Sequence, residues 1–162
     1  FLGMMGSGKS SIGFLIAKKL KIKFIDIDKE IERELGLTIK EIFINKGESF
    51  FRRFEEKITL RKLKLNAVVI SLGGGAFLNK KIKKEVLDKH LSFWLNWDYR
   101  TLIKRIRNSS KRPLAMNTTE ETLIELINKR SKIYSKALYE VKCDNLSKNE
   151  IVKKILKIYE VH

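Results

Sequence analysis

Short apolar runs rich in β-branched residues alternate along the chain with longer segments in which apolar positions recur at the period of a helix. That alternation is the pattern of a parallel sheet covered by helices, an α/β fold. Five strands are expected, at 1–2, 24–26, 68–72, 93–95 and 139–143, with about seven helices between and after them. Several helix starts carry their own signal. Thr38 with Glu41 and Ser147 with Glu150 fit the capping box, and Asp98 can cap a helix running through Arg107. No linker, repeat or low-complexity segment divides the pattern, so the 162 residues are read as a single domain, large enough to bury roughly 70% of its unfolded surface. One stretch is irregular. Residues 108–119 combine Ser109, Ser110, Asn117 and Thr118 with the only proline, Pro113, and a polar loop of that length in a compact domain points to function.

Composition narrows the classes. With 43% hydrophobic residues and 33% charged, the chain has the apolar content to fold and is not read as disordered. Cys143 is the only cysteine and His90 and His162 the only histidines, which excludes an intrachain disulfide and a Cys- or His-based metal cluster and suits a reducing, cytoplasmic setting. The longest uncharged stretch, 65–79, contains three glycines and falls short of the ~20 apolar residues of a membrane span. The opening Phe1-Leu2-Gly3 reads as the tail of a strand, without the charged start of a signal peptide or an initiator Met, so a few residues are expected upstream.

The net charge of +16 raises the possibility of nucleic-acid or anionic-membrane binding. Of the 35 basic residues, however, 26 are lysine, whereas base readout and bidentate phosphate contacts favour arginine. Lys18, Lys19, Lys21 and Lys23, and later Lys80, Lys81, Lys83 and Lys84, fall at helix ends or on polar faces, where lysine needs no partner. The field can still steer a small anion inward.

The candidate chemistry starts at residues 3–10. Gly3-Met4-Met5-Gly6-Ser7-Gly8-Lys9-Ser10 fits G-x-x-x-x-G-K-[ST] between an expected strand and a helix through Leu20, the context the motif requires. Its glycines let backbone N–H groups face phosphate oxygens. The helix start adds its dipole, the lysine reaches the transferred phosphate and the serine hydroxyl serves Mg²⁺. An ATP or GTP site is therefore expected. In open α/β sheets ligands bind past the carboxyl ends of the strands, and other signals fall there. Asp26 and Asp28, two apart in extended chain, would point to one side; one could serve Mg²⁺ and the other an acceptor hydroxyl, or Asp28 could merely cap the helix to Leu35. Gly73-Gly74-Gly75 removes side chains where backbone could approach a small molecule. Ser71 stands where a strand of such folds is expected to end in a metal-binding Asp.

Three arginines complete the set. Arg130 lies within an apolar stripe of Leu123, Ile127, Tyr134 and Ala137 in a helix expected around 122–138, a position costly for a guanidinium unless it meets an anion. Arg52 is flanked by Glu48 and Glu56 at i−4 and i+4, so an ordinary surface ion pair could satisfy it. Arg112, before Pro113, is biased to an extended conformation that a closing lid could swing inward.

Together the loop at 3–10, the Asp26/Asp28 pair, Gly47-Glu48 with Phe51-Arg52, the glycine triplet, Arg112-Pro113-Leu114 and Arg130 resemble shikimate kinase in order along essentially the whole chain. The resemblance implies a nucleoside-monophosphate-kinase-like fold with a five-stranded parallel sheet, a substrate-binding helical segment at about 28–64 and a mobile lid at about 108–119. It implies transfer of the ATP γ-phosphoryl group to the 3-hydroxyl of shikimate, a step of aromatic amino-acid synthesis, by a cytoplasmic monomer that binds neither nucleic acid nor membrane. By the same resemblance Gly6, Ser7, Gly8, Lys9, Ser10 and Ser11 bind ATP, and Lys9 and Arg112 contact its γ-phosphate. Arg105 stacks on adenine. Ser10 and Asp26 organise Mg²⁺, and Asp28 holds the acceptor hydroxyl. Arg52 and Arg130 grip the shikimate carboxylate, and the backbone of Gly73, Gly74 and Gly75 completes the pocket. Asn96 stands where the family has an acidic residue, and the adenine-side loop near 144–149 departs from the family pattern.

The alternatives are another small-molecule kinase, with a gluconate or nucleotide acceptor, or a basic nucleic-acid-binding module with a structural nucleotide. A nucleotide acceptor calls for a base pocket that the segment with Arg52 and Arg53 does not offer, and Phe50, Phe51 and Phe54 read as core along a helix.

Overall fold

In a computed structural model that describes residues 1–108 and 118–161, the strands are β1 (Lys23–Asp26), β2 (Val68–Ser71), β3 (Phe93–Asn96) and β4 (Tyr139–Lys142). β1 pairs with β2 and β3 with β4, both parallel. Phe1–Leu2 joins the two pairs. Leu2 forms a parallel bridge to Trp94; its N–H donates to the Phe93 carbonyl (3.0 Å), while the Leu72 N–H donates to the Phe1 carbonyl (3.0 Å). The expected first strand is thus observed as the Leu2–Trp94 bridge with its flanking hydrogen bonds, lying between the two strand pairs.

The helices are α1 (Lys9–Leu20), α2 (Ile27–Leu35), α3 (Ile39–Leu63), α4 (Lys80–Lys89), α5 (Tyr99–Arg107), α6 (Glu120–Tyr134) and α7 (Lys148–Glu160), with a 3₁₀ turn at Ala76–Leu78. Both expected capping boxes form, Thr38 with Glu41 and Ser147 with Glu150, and Asp98 accepts from the N–H groups of Arg100 and Thr101 to start α5. α3 breaks at Gly47, whose φ of 77° and ψ of 167° are not helical. The helix expected at 122–138 ends at Tyr134, so Ala137 of the apolar stripe lies beyond it.

Alternation along the strands sends side chains to two cores. Phe93, Leu95 and Val141 pack with Ile12, Ile16 and Ala17 of α1 and Ile151, Val152 and Ile155 of α7. On the other face Trp94 and Ile25 pack with residues of α2, α3, α5 and α6, among them Ile31, Ile58, Ile103 and Ile127. Phe51 is buried in that core, with Phe50 and Phe54 half-buried against it, as the sequence pattern predicts. Helices on both faces leave the carboxyl ends of the strands open, and the polar elements gather there. Arg112, Pro113 and most of the expected lid lie outside the described residues, as does His162.

Candidate active site

Residues 3–8 form the turn between the central bridge and α1. Gly6 (φ 81°) and Gly8 (φ 86°) adopt left-handed backbone that a side chain would strain. Gly8 is the N-cap of α1 and no side chain caps that helix, so the start of α1 is suited to receive an anion. Lys9 is buried, and its Nζ donates to the carbonyls of Gly3 and Met4 (2.9 Å each), which pins the ammonium under the loop. The Ser10 hydroxyl donates to Asp26 Oδ2.

Two clefts open on either side of this loop. The first, of about 250 Å³, is lined among others by Lys9, Ser10, Asp26, Asp28, Arg52 and Arg130. The second, of about 500 Å³, is lined by Gly6, Ser7, Gly8 and Ser11 with Trp97 and Arg105, and by Leu146, Ser147 and Lys148 on its far side. A ligand in each cleft would meet at the loop, the geometry needed to pass a phosphoryl group from one to the other.

The two aspartates reach the first cleft differently from the extended-chain expectation. Asp26 is the last residue of β1 and the N-cap of α2, accepting from the Lys29 N–H (3.3 Å). Asp28 sits in the first turn of α2, so Asp26 and not Asp28 caps this helix, because the strand ends and the helix begins without a linker. Asp26 and Ser10 place two hard oxygen donors side by side. That suits a divalent cation such as Mg²⁺, which takes few protein ligands and completes its shell with phosphate and water. Among the described residues no cluster of three His, Cys, Asp or Glu side chains exists to form a protein-only cage.

Arg52 shows a second departure. Its Nε and Nη2 do meet Glu48 Oε1 (3.2 Å each), but its other partner is Glu55 (Nη1 to Oε2, 2.8 Å). Glu56 instead meets Asn79 and Lys81 (2.7 Å each). Both glutamates are within helical reach of Arg52; the direction in which α3 packs sends Glu55 inward. Its side chain is only 3% exposed and its Oε1 has no hydrogen-bond partner. Burial, reinforced by Asp28 and opposed by the charge of Arg52, holds the Glu55 carboxyl above the usual carboxylate range.

The glycine triplet makes room for these groups. A Cβ on Gly73 would stand 2.5 Å from Glu55 Oε1 and 2.8 Å from Asp28 Oδ1, and one on Gly75 would stand 2.5 Å from Arg52 Nη1. The triplet therefore serves the protein's own charged side chains as well as any ligand. Gly74 turns its carbonyl to α6, where it accepts from the Tyr134 hydroxyl. Burial pushes that phenol up to about 12, so it remains a donor.

Arg130 lies one turn before Tyr134, between the buried stripe residues Ile127 and Tyr134. Its Nη1 reaches the Gly74 carbonyl only at 3.5 Å and Met4 Sδ at 3.9 Å, and its Nε is buried without a partner. The charge of Glu55 and the Tyr134 hydroxyl act on it within the fold, and its guanidinium lines the cleft, where an anionic ligand could reach it.

On the nucleotide side the Arg105 guanidinium carbon lies 3.7 Å from the centroid of the Trp97 ring, and the Trp97 indole N–H donates to the Ser7 carbonyl (2.9 Å). Thus the structure brings Lys9, Ser10, Asp26, Asp28, Arg52, Gly74, Gly75 and Arg130 to one cleft and Gly6, Ser7, Gly8, Ser11 and Arg105 to the other, with Gly73 buried behind the first. Arg112 is outside the described residues. Sequence reasoning missed Glu55, Trp97 and the hydroxyl of Tyr134. The only sequence signal for Glu55 is its i+3 spacing from Arg52.

A family model described as shikimate kinase matches residues 5–160. A shikimate kinase of Persephonella marina is 39% identical over 155 residues, covering 96% of this chain and 94% of that enzyme. Among solved structures, shikimate kinase from Aquifex aeolicus superposes with a TM-score of 0.87 at 34% identity, covering 98% of this chain and 94% of that one. Shikimate kinase from Acinetobacter baumannii in complex with shikimate superposes with a TM-score of 0.91 at 28% identity, covering 99% and 90%.

Proposed function

The chain belongs to the shikimate kinase family, and from that premise we infer how its own residues carry out ATP-dependent phosphorylation of shikimate in the shikimate pathway. The observation that carries the assignment of the acceptor cleft is Arg130, a cation in an apolar stripe whose Nε is buried without a hydrogen-bond partner and whose Nη1 reaches the Gly74 carbonyl only at 3.5 Å. Arg130 and Arg52 face one cleft, and a carboxylate-bearing acceptor placed between them would be held by both guanidinium groups. Bound so, the ring of shikimate presents its 3-hydroxyl toward Asp28 and the phosphate loop.

ATP lies across the loop, its phosphates on the N–H groups of residues 6–11 and its base toward Arg105. Lys9 balances charge on the transferring phosphoryl oxygens, where catalysis is mostly positioning and electrostatics. Asp28 orients the acceptor hydroxyl and accepts its proton as the O–P bond forms and the bond to ADP breaks. Ser10 and Asp26 would hold Mg²⁺, which would neutralise charge on the phosphates. Glu55 holds Arg52 from behind by its 2.8 Å contact, and Tyr134 does the same for the Gly74 carbonyl. The family resemblance adds Arg112 at the γ-phosphate, delivered by the segment at about 108–119. The same resemblance implies a cytoplasmic monomer acting on two small substrates, ATP and shikimate, without nucleic acid or membrane. Among the described residues no helix is long and apolar enough to cross a membrane.

The decisive test is ADP release by the purified protein with and without shikimate. ADP formation that depends on shikimate is expected. Turnover that ignores shikimate but responds to gluconate or a nucleoside monophosphate would move the protein to the rival acceptor class.

A further inference from the structure

Trp97 follows the last residue of β3 and stands in contact with both the phosphate loop and α5. Its indole N–H donates to the Ser7 carbonyl (2.9 Å) across 90 positions of sequence, and its ring lies under the Arg105 guanidinium at 3.7 Å. All three residues line the same cleft. The loop also packs tightly on α5: a Cβ at Gly6 would stand 3.4 Å from Arg105 Cβ. Arg105 is exposed and takes part in no ion pair among the described residues, so its planar head is oriented by the indole face rather than by an acid. An arginine held this way keeps its second face free for a further flat π system.

We propose that Trp97 is a positioning residue of the nucleotide site: it locks the Arg105 guanidinium at a fixed height above the phosphate loop, so that the base of the nucleotide completes a stack of indole, guanidinium and base. The hydrogen bond to Ser7 sets the indole relative to the phosphates, and the stack sets the guanidinium relative to the indole. The distance from base to phosphate is thereby built into the free protein, which lowers the ordering cost of binding. This inference rests on the reading that the base lies toward Arg105, and it adds the residue that holds Arg105 in place.

The experiment compares Trp97→Leu, Trp97→Phe and Arg105→Ala with the wild type, using ATP kinetics, ADP titration and tripolyphosphate as a probe that occupies the loop but has no base. Trp97→Leu should raise the KM for ATP about two- to fivefold, the worth of an exposed cation–π contact, with tripolyphosphate affinity and the KM for shikimate unchanged. Trp97→Phe keeps a ring under the guanidinium and should recover most of the loss. Arg105→Ala should raise the ATP KM as well, and combining it with Trp97→Leu should add little, since the two act as one unit. ADP should also perturb the tryptophan emission of the wild type and most of that change should be lost in Trp97→Phe, because Trp97 lines the nucleotide cleft whereas Trp94 is buried and lines neither cleft. This signal decides the matter should Trp97→Leu not fold.

Equal loss of ATP and tripolyphosphate affinity in Trp97→Leu would mean that Trp97 only props the loop. An unchanged ATP KM in that variant, with Arg105→Ala impaired, would overturn the role of Trp97 and leave the base site standing. No effect on ATP in either variant would remove the base from Arg105 altogether.

Discussion

Replacing Arg130 with alanine separates a substrate-binding arginine from a structural one, because its hydrogen bonds to Gly74 and Met4 are long and its Nε is buried without a partner. Its guanidinium approaches the Gly74 carbonyl at 3.5 Å and Met4 Sδ at 3.9 Å, beside the Tyr134 hydroxyl and in the field of Glu55. Loss of these and of the packed aliphatic stem should cost about 1 kcal/mol, a fall in Tm of about 2–4 °C for a domain of this size. A charge-assisted contact to the shikimate carboxylate is worth about 1.5–3 kcal/mol, so the KM for shikimate should rise about 10- to 150-fold. Arg52→Ala supplies the contrast, since it also strips the partner from the buried Glu55 and should cost a further 1–3 kcal/mol of stability, about the penalty of an unsatisfied buried group. Initial-rate kinetics with shikimate and with a decarboxylated analogue, beside thermal melts, measure both quantities. The analogue should bind wild type poorly and be indifferent to Arg130→Ala. An Arg130→Ala protein whose Tm falls as far as that of Arg52→Ala while its shikimate KM stays at the wild-type value would refute the reasoning, and Arg130 would then be a structural cation.

Lys9→Ala should lower kcat by orders of magnitude in a folded protein, and wild-type turnover in that variant would remove the phosphate-loop assignment. Asp28→Asn should reduce kcat far more than ATP affinity, whereas Asp26→Asn should raise the Mg²⁺ requirement; identical shifts of the metal titration in both would erase that division of roles. Gly75→Ala has an ordinary backbone (φ −104°) but drives a methyl to 2.5 Å from Arg52 Nη1, so shikimate KM should rise while ATP KM holds, and a melt with unchanged shikimate kinetics would argue against it. Glu55 binds its proton more tightly folded than unfolded, so its contribution to stability is full below the ordinary carboxylate pKa of about 4.3 and fades as pH rises through the higher folded value. The stability of wild type relative to Glu55→Gln should therefore decline as pH is raised from about 4 toward 7, and a difference that stays flat in denaturant titrations would count against the raised value.

What the sequence by itself determined was whatever is encoded within a few neighbouring residues. The phosphate loop is contiguous, so its glycines, Lys9 and Ser10 declare the cradle before any packing is known. The capping boxes at Thr38 and Ser147 and the cap at Asp98 are equally local, and the two-faced burial of Phe93, Trp94 and Leu95 follows from strand alternation alone. Choices between near-equivalent neighbours were left to the tertiary structure. Glu55 and Glu56 are both within a helical turn of Arg52, and only the packing of α3 against the glycine triplet sends Glu55 inside and Glu56 to Asn79 and Lys81. Asp26 caps α2 and Asp28 falls in its first turn because β1 gives way to α2 without an intervening loop, which no periodicity records. The contact of Trp97 with Ser7 joins residues that no local pattern relates, since it exists only where the end of β3 passes beside the loop. Local chemistry thus named the phosphate site, while the acceptor pocket, made of charged groups sharing a limited space around Gly73 and Gly75, took its arrangement from long-range packing.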